Sequence, residues 1–275
     1  MNAGEWQAEL DFTRELALRA GELVMGWFRG EFAVENKGGQ PVTIADQQSN
    51  ELIVNAIHER FPDDAIVAEE TPLTDDVWRD AKRCWVIDPL DGTSDFVKGR
   101  EGFAVMIGLR VDGRPKLGVV NVPKAARLFM GVVGHGSVEE VDGVERALAV
   151  STRASTSELR VIASIAHRDE RLTAALDALA PAETLSVGSV GYKVGKIVAD
   201  EADLYVAPTS YISLWDSCAP EAILHAAGGR FLDVDGNPLQ YGGPHVTHPR
   251  GLLATNGASA DDAVAKLKGL FSDLG

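Results

Sequence analysis

Cysteine is nearly absent from this 275-residue chain, which has only Cys84 and Cys218. Two thiols in apolar stretches are too few for a disulfide framework, and reduced, buried side chains are the ordinary expectation. Long hydrophobic runs are missing as well. No segment reaches the roughly 20 apolar residues that span a bilayer. The first segment is interrupted by Glu5, Glu9, Asp11, Arg14, Glu15 and Arg19, unlike the apolar core of a signal peptide. These absences predict a cytoplasmic protein with no membrane partner. Positive charge is also scarce, with 26 Lys and Arg against 41 Asp and Glu and a formal charge of -15. Nucleic-acid polymers and anionic membranes attract clustered cations, so neither is the expected partner. A small phosphorylated molecule stays open if cations mediate the contact. There is no Pro/Ser-rich linker, internal repeat or low-complexity run.

What is present fits an ordinary globular chain, with 45% hydrophobic and 24% charged residues. That length suits one large domain or two closely packed lobes. Trp6, Leu10, Leu16, Ala20, Leu23, Val24, Trp27 and Phe28 recur at helical spacing, so a first helix is expected to end near Gly30. A second is predicted over 45–60, stopping before Pro62, with Asp46 in its first turn. Strands are predicted over 65–68, 84–87, 103–111, 117–122 and 128–133, a mostly antiparallel first half. Beyond Arg160 strands and helices alternate, with helices over 170–179, 190–199 and 220–227. The expectation is an α+β fold with a soft boundary between lobes 1–150 and 151–275.

Carboxylates stand where strands end. The predicted strand 84–87 delivers Asp88, Pro89 restricts the backbone, and Asp91-Gly92 is a turn pair leading into Thr93. Two like charges so close need a cation or a shared proton. Oxygen-only ligands favour hard ions such as Mg²⁺ or Mn²⁺. Turn chemistry alone explains Asp-Gly, but not its neighbours: Glu69-Glu70 follows another predicted strand, and Trp215-Asp216 follows the irregular run 208–214. Asp216 also reads as the N-cap of the helix containing Pro220. Gly92 and Thr93 suit a phosphate-binding turn. His245 and His248 lie in a Gly/Pro-rich loop without the further ligands that a zinc site needs.

These residues resemble the inositol monophosphatase superfamily of Mg²⁺-dependent, lithium-sensitive phosphatases. The matching elements are Ala68-Glu69-Glu70, Trp85 through Thr93, and Trp215-Asp216 followed by eleven residues and Gly228-Gly229. The resemblance implies a layered αβαβα sandwich of the sugar-phosphatase type and two to three Mg²⁺ ions per site. It implies that Glu69, Asp88 and the Leu90 carbonyl hold one ion, and Asp88, Asp91 and Asp216 a second, with Glu69 facing a weaker third. Glu70 would be a supporting residue. Thr93, bonded to Asp46 of the segment Thr43-Ile44-Ala45-Asp46, would help position and deprotonate the attacking water. A haloacid-dehalogenase-type Asp-x-Asp-Gly-Thr motif would place one residue between the acids, whereas Pro89 and Leu90 separate them here.

Within the superfamily, Leu90, Phe96, the segment from Ser164 to Asp169, and Gly188-Ser189 with Lys193 resemble the 3'(2'),5'-bisphosphate nucleotidase branch. Two extra residues lie between Ser164 and His167, and one between Ser189 and Lys193. Ser189, His167, Arg168 and Lys193 are the candidate substrate contacts, the three cations for a second phosphate. The segment Val206-Ala207-Pro208-Thr209 lacks the acid that inositol phosphatases place before Trp-Asp. The expected activity is therefore hydrolysis of a phosphate monoester, a nucleotide bisphosphate first. Inositol, another polyol or histidinol phosphate is the alternative. A non-catalytic regulator binding Mg²⁺ and a phosphate ligand is the second, and a homodimer is the expected assembly.

Overall fold

The computed structural model describes residues 1–28, 30, 33–37, 40–73, 76–164, 169–243 and 245–274. Its first half holds α1 (Gln7–Phe28), the hairpin β1 (Val34–Lys37) and β2 (Gln40–Thr43), then α2 (Ile44–Arg60) and β3 (Ala65–Ala68). Next come α3 (Val77–Asp80), β4 (Arg83–Asp91), α4 (Thr93–Val97), β5 (Ala104–Val111), β6 (Arg114–Val122), β7 (Arg127–Val132), β8 (Gly136–Val141) and β9 (Val144–Leu148). The second half runs β10 (Arg160–Ala163), α5 (Glu170–Leu179), β11 (Glu183–Ser186), α6 (Val190–Val198), β12 (Leu204–Ala207) and α7 (Leu214–Ala226). It ends with β13 (Arg230–Leu232), β14 (Leu252–Thr255) and α8 (Ala260–Leu267).

Strands β3 to β9 form a seven-stranded sheet in chain order, parallel only between β3 and β4. The second sheet has the order β11-β10-β12-β14-β13. Alternation along its strands sorts their side chains between two cores. Ile162, Tyr205, Leu252 and Ala254 join the central cluster with α6 and α7, while Val161, Leu204, Val206 and Leu253 join the outer one with α5 and α8. On the far side of the large sheet, α1 and α2 bury Leu16, Val24, Ile53 and Ile57 against Trp85, Ile87 and Leu109. The layers are therefore α1/α2, large sheet, α6/α7, small sheet, α5/α8, the expected αβαβα sandwich.

Helix α7 lies directly on the large sheet because three cross-strand neighbours there are glycines. Gly108 pairs with Gly118, and Gly118 with Gly131, across β5, β6 and β7. A Cβ on Gly118 would stand 2.1 Å from the Ala219 carbonyl oxygen, and one on Gly131 2.6 Å from Ile223 Cα. No side chain fits there, so the backbone of α7 replaces the side-chain layer and carries Asp216 close to the sheet.

Three sequence expectations change. Strand β4 continues through Asp91 rather than ending at Ile87, with a register shift between Asp88 and Asp91. Helix α7 begins at Leu214, not Pro220, so Asp216 lies inside its first turn and Ser213 is the N-cap. The strands β1, β2, β8, β9 and β11 were not anticipated.

Candidate active site

A regular strand sends residues three apart to opposite faces. Between Asp88 and Asp91 the partner strand advances only two residues, Met106 to Ala104, so β4 carries one extra residue at Pro89-Leu90. The bulge returns Asp91 to the face used by Asp88. Pro89 can occupy it because a bulge spares the amide that proline lacks. The Asp88 carboxylate closes the turn by accepting the Leu90 amide at 2.9 Å.

Asp216 reaches this place from the second half of the chain. One oxygen each of Asp88, Asp91 and Asp216 lies within 4.8 Å of the others. Asp88 is 1% exposed, while Asp91 and Asp216 are partly buried, so the charge gathers around a carboxylate with little water of its own. Burial first, then repulsion from Glu69 and Asp91, pushes the Asp88 carboxyl well up. Burial and Asp91 push Asp216 up to about 7. Glu69, brought alongside by the parallel pairing of β3 with β4, hydrogen-bonds Asp88 and is pushed up to about 8 by burial and by Asp216 and Glu70. Burial also raises Asp91, opposed by Lys193 and by its bonds from Ser189. A set of oxygen donors that burial, with mutual repulsion, drives toward protonation fits a hard divalent cation, which would offset both. Asp88, Asp91 and Asp216 could hold such an ion, with Glu69 beside them.

Asp46 lies next to the cluster at the start of α2. One oxygen accepts the Thr43 amide at 2.8 Å and hydroxyl at 2.6 Å; the other accepts the Thr93 hydroxyl at 2.9 Å. Thr93 Oγ1 also stands 3.0 Å from the Leu90 carbonyl. The bonded arrangement leaves the Thr93 oxygen lone pairs able to accept a proton from a water. Gly92 has a φ of +89° and feeds Thr93 into α4; a Cβ there would stand 2.5 Å from the Gly102 carbonyl.

Ser189 and Lys193 come from the start of α6. Ser189 donates its hydroxyl to Asp91 Oδ2 at 2.6 Å, and the Gly191 amide adds a bond at 3.2 Å. Ser189 is itself fixed by its amide on the Gly102 carbonyl. Lys193 is fully buried below it, with its ammonium donating to the Gly188 carbonyl and to Ser164 Oγ at 3.2 Å. The expected free phosphate arm is thus placed as an internal cation near the acids, and burial lowers its ammonium to about 8 despite Asp91 and Asp216. His167 and Arg168 lie outside the described residues.

The sequence reading missed how Asp46 and Asp216 are held. Ser213 donates its amide to Asp216 Oδ2 at 2.6 Å, as Thr43 does to Asp46. Both are third residues of capping boxes, and the Ser/Thr-x-x-Asp spacing was the available signal. His248 is buried against Ser217 and Tyr241, away from any zinc-like ligand set among the described residues.

A family model described as the inositol monophosphatase family matches residues 5–269. A 3'(2'),5'-bisphosphate nucleotidase CysQ of Salmonella typhimurium is 34% identical over 232 residues, 82% of this chain and 91% of that protein. A histidinol-phosphatase of Chlorobaculum parvum is 29% identical over 266 residues, 94% of this chain and 96% of that one. Among solved structures, an IMPase of Thermotoga maritima matches with a TM-score of 0.82 at 27% identity, over 98% of this chain and 100% of that one. Fold, acidic cluster and family model agree: the chain belongs to the inositol monophosphatase family and is a phosphatase.

Proposed function

We propose that this chain is a Mg²⁺-dependent phosphomonoesterase acting on a nucleotide 3'(2'),5'-bisphosphate, with two to three Mg²⁺ ions held by Glu69, Asp88, the Leu90 carbonyl, Asp91 and Asp216. The observation that carries it is the convergence of Asp88, Asp91 and Asp216 beside the Thr93–Asp46 pair. Bound Mg²⁺ supplies Lewis acidity, which lowers the pKa of a water and neutralises phosphate oxygens. The protein's own part is proton handling and orientation. Thr93 Oγ1 accepts a proton from the attacking water as its own hydroxyl proton moves toward Asp46 Oδ1. Asp46 can take it because burial already raises its carboxyl, against the bonds from Thr43 and Thr93. Gly92 and the Thr93 amide face the reacting phosphate. Ser189 keeps Asp91 aimed, Lys193 supplies positive charge from within beside the acids, and His167 and Arg168 supply it toward a second phosphate. No phosphoenzyme forms, since each carboxylate of the cluster is a ligand rather than a nucleophile.

Substrate choice follows the nucleotidase relatives, which reach 34% identity over most of this chain. The histidinol-phosphatase relative, with the longer coverage, supports a second reading in which the ester is a smaller phosphate. Residues 1–150 form a lobe with most of the metal ligands and residues 151–275 a lobe that completes the metal and substrate site, in a cytoplasmic enzyme that pairs as a homodimer. A phosphate-release panel tests the substrate: adenosine 3',5'-bisphosphate, inositol 1-phosphate, fructose 1,6-bisphosphate and histidinol phosphate, each with Mg²⁺. The bisphosphate nucleotide is expected to give the highest kcat/KM. Preference for histidinol phosphate favours the second reading, and binding of an ester without turnover of any would favour a regulator.

A further inference from the structure

Asp216 sits on a helix that does not fix it alone. Pro220 has no N–H, so α7 lacks the bond that would close on the Asp216 carbonyl. The helix start is held from outside instead. The His248 amide donates to the Ile212 carbonyl at 2.7 Å and the Leu214 amide to the Val246 carbonyl at 2.8 Å, with Ser213 bridged to Thr247 between them. Side chains repeat the clamp one residue beyond Asp216. Ser217 Oγ lies 2.7 Å from His248 Nε2 and 3.0 Å from the Tyr241 hydroxyl, which also reaches Glu221 Oε2 at 2.8 Å. Arg114 on β6 completes the chain with a 2.8 Å bond to Glu221 Oε1. Ser217, Glu221 and His248 are 0%, 0% and 3% exposed, so the bonds among Ser217, His248, Tyr241 and Glu221 are made away from water, and only the Arg114 end of the line reaches solvent. Ser217 Oγ also stands 3.1 Å from the Leu214 carbonyl, so loss of His248 or of the Tyr241 hydroxyl frees Ser217 to bond only within its own helix and removes a buried hydrogen bond to the neighbouring segment.

We infer that His248 and Tyr241 are positioning residues for the Asp216 carboxylate, acting through Ser217 and the pinned start of α7. They touch neither substrate nor reacting atoms. Their effect is to substitute, from the 238–250 segment, for the helical bond that Pro220 removes, so that Asp216 meets Asp88 and Asp91 at ligand distance. The inference rests on the reading of Asp216 as a metal ligand.

The test is calorimetric titration of Mn²⁺ into the metal-stripped protein for the wild type and for Tyr241→Phe, His248→Ala, His248→Gln and Asp216→Asn. Tyr241→Phe and His248→Ala are expected to weaken Mn²⁺ binding by about three- to tenfold, the scale of one lost buried hydrogen bond. His248→Gln should recover part of the loss. At saturating Mg²⁺ the KM for substrate should not move, which separates positioning of a ligand from general damage. Should His248→Ala fail to melt cooperatively in EDTA, Tyr241→Phe, which removes a single oxygen, carries the test. Wild-type Mn²⁺ affinity in Tyr241→Phe and in the folded His248 variants, alongside a large loss in Asp216→Asn, overturns the inference while sparing the site. Unchanged affinity in Asp216→Asn overturns the reading of the site itself.

Discussion

Asp46 and Asp216 occupy the same position at the starts of two helices from opposite ends of the chain. Each holds the amide of its own N-cap residue, Thr43 at 2.8 Å and Ser213 at 2.6 Å. The capping box at each helix start therefore helps to orient a site carboxylate. For Asp46 the second oxygen is left to Thr93.

Loss of either member of that pair should affect rate more than stability. Thr93→Ala and Asp46→Asn are each expected to lower kcat by about 10²–10⁴ at saturating Mg²⁺, the range for a positioned proton-transfer group. The Thr93→Ala melting temperature should stay near wild type, because Thr93 is partly exposed. Steady-state kinetics with parallel thermal melts check this, and a wild-type kcat in Thr93→Ala would remove Thr93 from the mechanism.

Ser189 should control metal affinity through Asp91. Its hydroxyl makes the shorter of the bonds on Asp91 Oδ2, at 2.6 Å against 3.2 Å from Gly191. Ser189→Ala is expected to raise the Mg²⁺ concentration for half-maximal activity by about three- to tenfold. A metal titration of activity reads this directly, and an unchanged midpoint would show that Asp91 is aimed without Ser189.

Gly118→Ala should act at a distance from the site. Its Cβ would meet the Ala219 carbonyl at 2.1 Å, in the turn of α7 after Asp216. Overpacking of this kind costs about 1–3 kcal/mol. The variant should lose that stability in urea unfolding and bind Mg²⁺ more weakly. Wild-type stability would mean that α7 moves off the sheet freely.

Glu221 gives a pH dependence whose sign is fixed. Burial pushes its carboxyl up to about 7, against Arg114 and Tyr241. A raised folded pKa favours the protonated form, so this contribution is complete below the ordinary carboxylate range and is lost as pH rises through about 7. Urea unfolding of wild type and Glu221→Gln at pH 4.5 and pH 8, roughly the ordinary glutamate pKa and a point above the raised one, isolates it. The wild type should lose up to about 3 kcal/mol relative to the variant across that interval. A constant difference would contradict the raised pKa.

Much of the fold was legible because its longer elements follow simple periods. The helix 170–179 and the strand 65–68 were read with the bounds they have. Strands β8 and β9, the last two of the large sheet with β9 at its edge, were missed because they are rich in charge, Gly136-Ser-Val-Glu-Glu and Val144-Glu-Arg, although Asp142-Gly143 between them is a hairpin signal. At the site, the acids were visible as residue types at strand ends. Their common face was not, because it depends on a one-residue bulge that only pairing with β5 defines. The start of α7 was misplaced because Pro220 reads as a first-turn residue, whereas here it lies inside a helix held by contacts with 246–248. Lys193 read as a cation for a second phosphate, and its burial beneath Ser189 follows from α6 packing between the two sheets.

The most direct measurement is phosphate release from adenosine 3',5'-bisphosphate by the wild type and Asp91→Asn, across a Mg²⁺ titration that starts in EDTA. A metal-assisted site should give no wild-type activity in EDTA, full recovery with Mg²⁺, and a loss of at least about 10² in Asp91→Asn at any Mg²⁺ concentration, since that variant lacks a ligand. Wild-type turnover in EDTA, or unimpaired turnover by Asp91→Asn, would contradict it.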